Sequence, residues 1–569
     1  MVRFTDFLQS DITESAALQQ ALKAAVAGDK HLFFPAGEYH FYPEGCPQRY
    51  CYFSNNDEGV KTIAMLLDGV DDFTVSGQGA LLIFHGRISP LYAFNCRNLT
   101  VEGIAVDFAD SFVSDADLVE RKDGIAWFKF PGQHKVAGGK LIFTDDFYDN
   151  MSGMLPFTAY DRERQEIMHC APKITIPNSG ILFRDGLVGF EDRFEGIGTD
   201  AFIIKHELRL CPGMVFDRCR DIVVNNVTLY HAAGMGFLIQ NSENCRVESA
   251  VVAPRNRRTA VSDDALHITD CRGKLQIINC KLSGTLDDSI NVHGVYRKLK
   301  SRIPGGKMYY LEAGHYQQQG VFNVRPGDHL ELRKRENGVP YCTLEVKDVH
   351  PANKAFVIVD IDESKLPAEF TEGDPAWVLE TQAELEVRGC VCRSLRGRGV
   401  LASGLKKVHI SGCRFHSSGA GVFVSGDFSY WYESGPVEKM IIEDNFFDNC
   451  NCNPNSATRE PLAVFPELRS LQEGFCYHGE IVVRNNHFRA WQQTLVSMMS
   501  VSKAEVSGNT FEADERYRHE FRTQAGYFFT DKSSPAAAFL HCGEVKVENN
   551  AGFGSCDFSG KSEEYGEKS

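Results

Sequence analysis

Ser262-Asp263-Asp264-Ala265-Leu266-His267-Ile268-Thr269 and Leu286-Asp287-Asp288-Ser289-Ile290-Asn291-Val292-His293-Gly294 are two versions of one phrase. At a step of 24 residues Asp263 falls on Asp287, Asp264 on Asp288, Leu266 on Ile290 and Ile268 on Val292. Successive coils of a parallel β-solenoid look like this in sequence. Equivalent residues of stacked coils lie roughly 4.8 Å apart. Four carboxylates are then predicted on one small patch. Like charges disfavour joint ionisation, so such a patch implies a task.

The rhythm extends in both directions. Asp72-Phe73-Thr74-Val75-Ser76-Gly77 is echoed 26 residues later by Asn98-Leu99-Thr100-Val101-Glu102-Gly103. It returns from Asp221 to Asn226, Lys407 to Gly412, Ile481 to Asn486, Ala504 to Asn509 and Val545 to Asn550. Gly and Asn at the corners tolerate the positive φ that tight coil turns need. Each coil is predicted to carry three short strands around one apolar column. Ahead of the coils, Asp11 to Ala25 reads as a helix N-capped by Asp11 or Thr13, with Leu18, Ala21, Leu22 and Ala25 on one face. The strand from His31 to Tyr39 follows and contains Phe34-Pro35-Ala36-Gly37. A helix followed by this strand resembles the opening of pectin-lyase-like right-handed β-helices, where the helix plugs an end that would otherwise be an unpaired edge.

Two stretches break the rhythm with alternating strands, such as Ala126-Trp127-Phe128-Lys129-Phe130 and Cys342-Thr343-Leu344-Glu345-Val346. The predicted fold is all-β: a right-handed parallel β-helix with two inserted antiparallel β-barrel-like modules and an N-terminal capping helix. The cap and first coils take 1–110, the first insertion 111–211, and the coils with the aspartates 212–297. The second insertion takes 298–381, the C-terminal coils 382–560, and a polar tail, expected to be disordered, 561–569. The second insertion starts directly after the Asp287 phrase, so it is placed to wall that site.

The chain is 43% hydrophobic and carries a formal net charge of −16, with a pI near 5.6. That balance argues against nucleic acid or an anionic membrane as partner. No run of 18 apolar residues occurs, so no membrane-spanning helix is expected. The 18 cysteines show no CxxC pairs or zinc spacing and read as buried, reduced thiols of the solenoid. Met1 to Ser10 lacks a basic segment followed by an apolar one. The expected location is cytoplasmic if Met1 is the natural start, and exported with the signal removed if it is not.

Carboxylates paired on one face meet the requirement of glycoside hydrolysis: one donates a proton, another activates water or attacks the sugar. Repulsion within the cluster would separate their pKa values. Strict strand alternation would turn only one member of each pair outward. Both can face the groove only at a strand start, where the chain is still turning. Calcium binding or a solvated corner is the competing reading of clustered aspartates.

The segment Leu286-Asp287-Asp288-Ser289-Ile290-Asn291-Val292-His293-Gly294-Val295-Tyr296 resembles glycoside hydrolase family 110. So do His40-Phe41-Tyr42-Pro43-Glu44, Ile83-Phe84-His85-Gly86-Arg87, and Ser425-Gly426-Asp427 with Trp431, Glu433, Ser434 and Gly435. The resemblance implies an inverting exo-α-1,3-galactosidase on a β-helix with extra barrels, acting on blood group B-type or linear α-1,3-galactosyl glycans without a cofactor. It maps the acidic triad onto Asp264, Asp287 and Asp288. By analogy with pectin-degrading β-helix hydrolases, which have a similar arrangement, Asp287 is the general acid while Asp264 and Asp288 hold and activate water. An inverting pair is expected about 6.5–9.5 Å apart. Asp263 has no counterpart and reads as structural.

The candidates for substrate binding are His267, Asn291, His293, Trp431, Glu433 and Arg87. By alternation His267 faces away from Leu266 and Ile268. His293 either binds a sugar hydroxyl, tunes Asp287 or packs a corner. Trp431 and Glu433 suit stacking on galactose and accepting its hydroxyls; a buried aromatic corner is the alternative for Trp431. Arg255, Arg257 and Arg258 read as a solvated corner, with one of them available to neutralise the acids. Two other functions stay open: a polygalacturonase-like hydrolase, for which an acidic chain is a poor match, and a non-catalytic glycan-binding solenoid. The expected partner is a glycan ending in α-galactose. Oligomeric state is open, a homodimer included.

Overall fold

The computed structural model describes residues 1–143, 153–169, 174–206, 209, 211–451, 460–490, 494–514, 516 and 535–560. The polar tail from 561 lies outside the described residues. Most of the chain winds as a parallel β-helix. One coil consists of the strands Leu266–Thr269, Arg272–Ile278 and Lys281–Thr285, after which the chain turns into Ile290–Val295. Three short strands per coil is the arrangement the repeats predict.

The sheet that carries the site runs in chain order through Ile88–Phe94 (β1), Met214–Asp217 (β2), Phe237–Gln240 (β3), Leu266–Thr269 (β4), Ile290–Val295 (β5), Val400–Ala402 (β6), Val422–Asp427 (β7) and Leu462–Glu467 (β8). Each pairs in parallel with the next. Leu266 pairs with Ile290 and Ile268 with Val292, which is the 24-residue step of the sequence. Inward-facing Leu266, Ile268, Ile290 and Val292 belong to one continuous apolar core. A helix over Glu14–Ala27 (α1) closes its N-terminal end. Thr13 caps it, accepting the Ala16 amide at 3.2 Å, and Leu18, Ala21, Leu22 and Ala25 are buried in that core.

Both insertions are antiparallel and differ in closure. The first is an open eight-stranded sheet reaching from Val113–Lys122 to Ala201–Lys205, with a separate hairpin of His134–Ala137 and Lys140–Phe143. The second leaves after β5, closes a six-stranded barrel between Arg297–Arg302 and Asp374–Val378, and returns in register, Ile290 pairing with Val400. Arg272 anchors the barrel to the coils through two bonds to Asp328, at 2.8 and 2.6 Å.

At one corner the stacked coils place a polar column inside the turn. The Cys390 amide donates to Cys413 Sγ at 3.4 Å and the Cys413 amide to Asn445 Oδ1 at 2.8 Å. The Asn445, Asn486 and Asn509 amides then donate to Asn486, Asn509 and Asn550 in turn. Each side chain satisfies the turn of its neighbour, so buried backbone amides keep partners where the strands have ended. Cys245, Cys271, Cys280 and Cys392 are buried free thiols of the coils. Asn486 also donates to the Ile442 carbonyl at 2.9 Å. Asn486→Ala therefore strands several buried polar groups and is expected to cost about 3 kcal/mol, read as a lower urea midpoint with unchanged far-UV circular dichroism.

Candidate active site

Asp263 and Asp264 lie in the bend before β4, and Asp287 and Asp288 in the bend before β5. Strand alternation has not yet begun there, so both members of a pair can turn towards the groove. Asp264, Asp287 and Asp288 each bring an oxygen within 4.8 Å of the other two. These oxygens are thus closer than the 6.5–9.5 Å between carboxyl groups expected of an inverting pair, as stacking at coil spacing brings neighbouring side chains into reach.

The three carboxyls differ in burial and partners. The Asp264 and Asp288 side chains are 4% and 2% exposed, that of Asp287 24%. Asp264 Oδ1 accepts the Asp288 amide at 2.9 Å. Asp288 Oδ1 accepts the Arg398 amide at 2.6 Å, and its Oδ2 lies 2.9 Å from the Arg398 guanidinium. Asp287 faces Arg209 at 3.6 Å and Arg396 at 3.9 Å. Asp263 points aside and accepts Lys205 at 2.7 Å and Arg209 at 2.9 Å on one oxygen. Burial alone would raise its pKa; Lys205 and Arg209 hold it below the usual range. Asp263 thus fixes Arg209 beside Asp287.

A line of hydrogen bonds determines the protonation of Asp264. His293 Nδ1 lies 2.8 Å from the Gly294 carbonyl and so carries the hydrogen. Its Nε2, 3.1 Å from His267 Nε2, must accept from that ring. His267 Nδ1 is then a bare acceptor 2.8 Å from Asp264 Oδ2, which calls for a protonated carboxyl. Burial lowers His267 to about 4 and lowers His293 as well. Burial, then the neighbouring Asp287, raise Asp264 to about 8. Asp288 is also raised, by burial and despite Arg398. The cluster therefore retains protons at neutral pH.

Four other segments complete the site. The short strand Glu433–Ser434 pairs antiparallel with β5. Glu433 sits 3.8 Å from His293 Nε2 and 3.4 Å from Asn291 Nδ2, and accepts from Asn55. Burial acts to raise its pKa, but the Asn55 amide and the nearby Arg209 act to lower it. Asn55 also accepts Gln318 Nε2 at 2.6 Å from the second insertion and, on its carbonyl, Arg209 at 2.8 Å. Asn291 keeps a buried carbonyl oxygen without a partner beside Glu433. Trp431 is half-buried, with Arg209 5.5 Å from its ring and His315 4.6 Å away; exposed Tyr430 and Tyr316 stand at the rim.

The structure thus brings Asn291, His293, Trp431 and Glu433 together with the triad. His267 joins them from below: it is fully buried and touches Asp264 instead of the groove, since Glu433 and His293 cover the outward face that alternation assigns to it. Arg87 does not join. It precedes β1, three strands from β4, roughly 14 Å at β-sheet spacing. Arg255, Arg257 and Arg258 do not reach the acids either. They turn to Asp107, Asp117 and carbonyls that tether the first insertion. The cations at the cluster are Lys205, Arg209, Arg396 and Arg398, which the sequence reading missed. Arg398 alone carried a signal: it occupies the Asp264 and Asp288 position of the next coil once the insertion is removed. A divalent ion would fit between the three carboxyls, as it would between Glu166, His169 and His416. In both places arginine already supplies positive charge, with Arg393 3.1 Å from Glu166.

Fold and site define a β-helix protein with a buried, proton-bearing aspartate cluster in a walled groove. The family described as "Right handed beta helix region" matches residues 375–563, and "GLAA-B beta-barrel domain II" matches 310–375. Three curated relatives match most of the chain. An α-1,3-galactosidase B of Bacteroides thetaiotaomicron is 26% identical over 514 residues, 86% of this chain and 81% of that one. Another from Phocaeicola vulgatus is 27% identical over 567 residues, covering 94% and 91%. An α-1,3-galactosidase A of Shewanella woodyi is 24% identical over 520 residues, covering 87% and 83%. Among solved structures, the A-module of the Azotobacter vinelandii mannuronan C-5 epimerase AlgE6 overlays 97% of this chain and 99% of its own at 12% identity, with a TM-score of 0.41.

Asp264 should titrate near pH 8 in carboxyl 13C NMR and move down in Asp287→Asn, which removes the repelling charge. A carboxyl whose pKa is raised on folding contributes stability that is complete below about pH 4 and is lost as pH rises through 8. The melting temperature of Asp264→Asn minus that of wild type is accordingly expected to increase from pH 4 to 8.

Proposed function

We propose that this chain is a glycoside hydrolase of the α-1,3-galactosidase type, an inverting exo-enzyme similar to glycoside hydrolase family 110. It removes terminal α-1,3-linked galactose from linear or blood group B-type glycans. The observation that carries this reading is the coil-registered triad Asp264, Asp287 and Asp288, in a chain whose curated relatives bear that name. Asp287 is the most exposed of the three and is assigned the transfer to the leaving oxygen of a proton that the cluster retains. Asp264 and Asp288 have every oxygen engaged by an amide, an imidazole or a guanidinium, which makes either a poor covalent nucleophile. Water ordered in front of them is the better attacker: its oxygen bonds to the anomeric carbon as the glycosidic bond breaks, its proton passes to the cluster in place of the one given to the leaving oxygen, and the anomeric centre inverts. With the carboxyls this close, that water sits in the groove and not between them.

Exo action is favoured by the wall that Asn55, Gln318 and Glu433 build by bonding to one another. A closed end suits a chain terminus. Trp431 offers a flat apolar face, while Glu433 and the unpartnered Asn291 oxygen offer acceptors to sugar hydroxyls.

Incubation with galactose-α-1,3-galactose and with the branched blood group B trisaccharide tests the reading. Free galactose from at least one is expected; none from either would overturn it. Asp287→Asn should lose about 10²- to 10⁴-fold in kcat while still binding galactose. Gly397→Ala is a second probe. A Cβ there would lie 2.4 Å from Asp288 Oδ1 and 2.6 Å from the Asp287 carbonyl carbon. The displaced carboxyls should lower kcat by about 10²-fold, with the fold retained.

A further inference from the structure

We propose that the cleft between the coil corner and the barrel is a second saccharide site, taking a sugar that carries a sulfate or carboxylate. The cavity has a volume of about 370 Å³, and its lining includes Arg97, Arg218, Arg220 and Arg325 but only one carboxylate, that of Glu243. In a chain of net charge −16, four guanidiniums converging on one cleft form a local anion trap. Arg97 and Arg220 are direct partners on adjacent parallel strands, roughly 4.8 Å apart along the backbone. Two like charges held side by side are relieved by an anion placed between them.

These guanidiniums are poorly used within the protein. Arg220 is 3.4 Å from Asp221, Arg325 3.7 Å from Glu243 and Arg218 3.9 Å from Asp217. Charge-assisted bonds run to about 2.7–2.9 Å. Arg97 donates its backbone amide to Asp71, and its guanidinium has no hydrogen bond or ion pair among the described residues. Arg272, by contrast, has its bonds to Asp328 and serves the fold.

The rest of the lining suits a sugar better than a bare ion. Asn241 is 2% exposed and gives its amide to Asp217 at 3.1 Å, while its carbonyl oxygen has no partner. A ligand hydroxyl would satisfy it. Phe322 adds an apolar surface. The barrel wall is rigid, since Asn323 donates to the Asp270 carbonyl at 2.6 Å and accepts Arg272 on its own carbonyl at 2.8 Å. Asn241 and Asp270 follow β3 and β4, whereas Asp263 and Asp264 precede β4. The two sites therefore lie at opposite ends of the same strands, roughly 20 Å apart at strand rise.

Calorimetric titration of the full chain with a 6-sulfated chondroitin disaccharide, lactose and inorganic sulfate tests this site. The sulfated disaccharide should bind, and lactose should not. Affinity should fall about tenfold or more in Arg97→Gln/Arg220→Gln and in Arg325→Gln on the opposite wall. Melting temperature and hydrolysis of a small α-galactoside should be unchanged in both. Absent binding, equal binding to the variants, equal binding of lactose, or inorganic sulfate binding as tightly as the disaccharide would each overturn the proposal.

Discussion

The parallel backbone ladder between Leu266–Thr269 and Ile290–Val295 turns residues 24 positions apart into neighbours, and the site depends on that one constraint. It stacks the two bends that precede these strands, so Asp264 can accept the Asp288 amide and both can share a patch with Asp287. The spacing of the carboxyls is thus a property of the β-helix. Side-chain chemistry then adapts to a separation the backbone has imposed.

That adaptation is electrostatic. Three carboxyls with oxygens within 4.8 Å cannot all ionise at low cost. Arginines from two places meet them: Arg209 from the chain leaving the first insertion, and Arg396 and Arg398 from the coil after the second. The line from the Gly294 carbonyl through His293 and His267 leaves Asp264 a proton. Burying the two histidines keeps them neutral and makes that line directional. The insertions therefore do more than wall a groove. One delivers Lys205 and Arg209, and the other delivers Gln318 to hold Asn55 and, through it, Glu433.

Much of this was legible in the chain because it is periodic. Leu266 and Ile290, the helix face of Leu18, Ala21, Leu22 and Ala25, and the corner asparagines each obey a local repeat that physics reads directly. The two aspartate pairs were legible for the same reason, and the family resemblance singled out Asp264, Asp287 and Asp288 among them. Arg209, Asn55, His315 and Gln318 were not, because they arrive from distant segments through contacts with no period. Arg398 was concealed by the insertion, which stretches its coil step from Asp288 to 110 residues. His267 shows the limit of alternation: the outward direction was right, but nothing in its neighbourhood revealed that Glu433 and His293 would cover it. Arg87 belongs to a family-like phrase, yet the ladder sets it three strands from the acids.

The central claim is that two engaged aspartates and one exposed aspartate direct water, not a carboxylate, onto the sugar. Proton NMR of the anomer first formed from galactose-α-1,3-galactose tests it most directly. Early β-galactose, mutarotating only later towards the equilibrium mixture, is the predicted result. Early α-galactose would contradict the account, because retention requires a covalent carboxylate that this cluster is not built to provide.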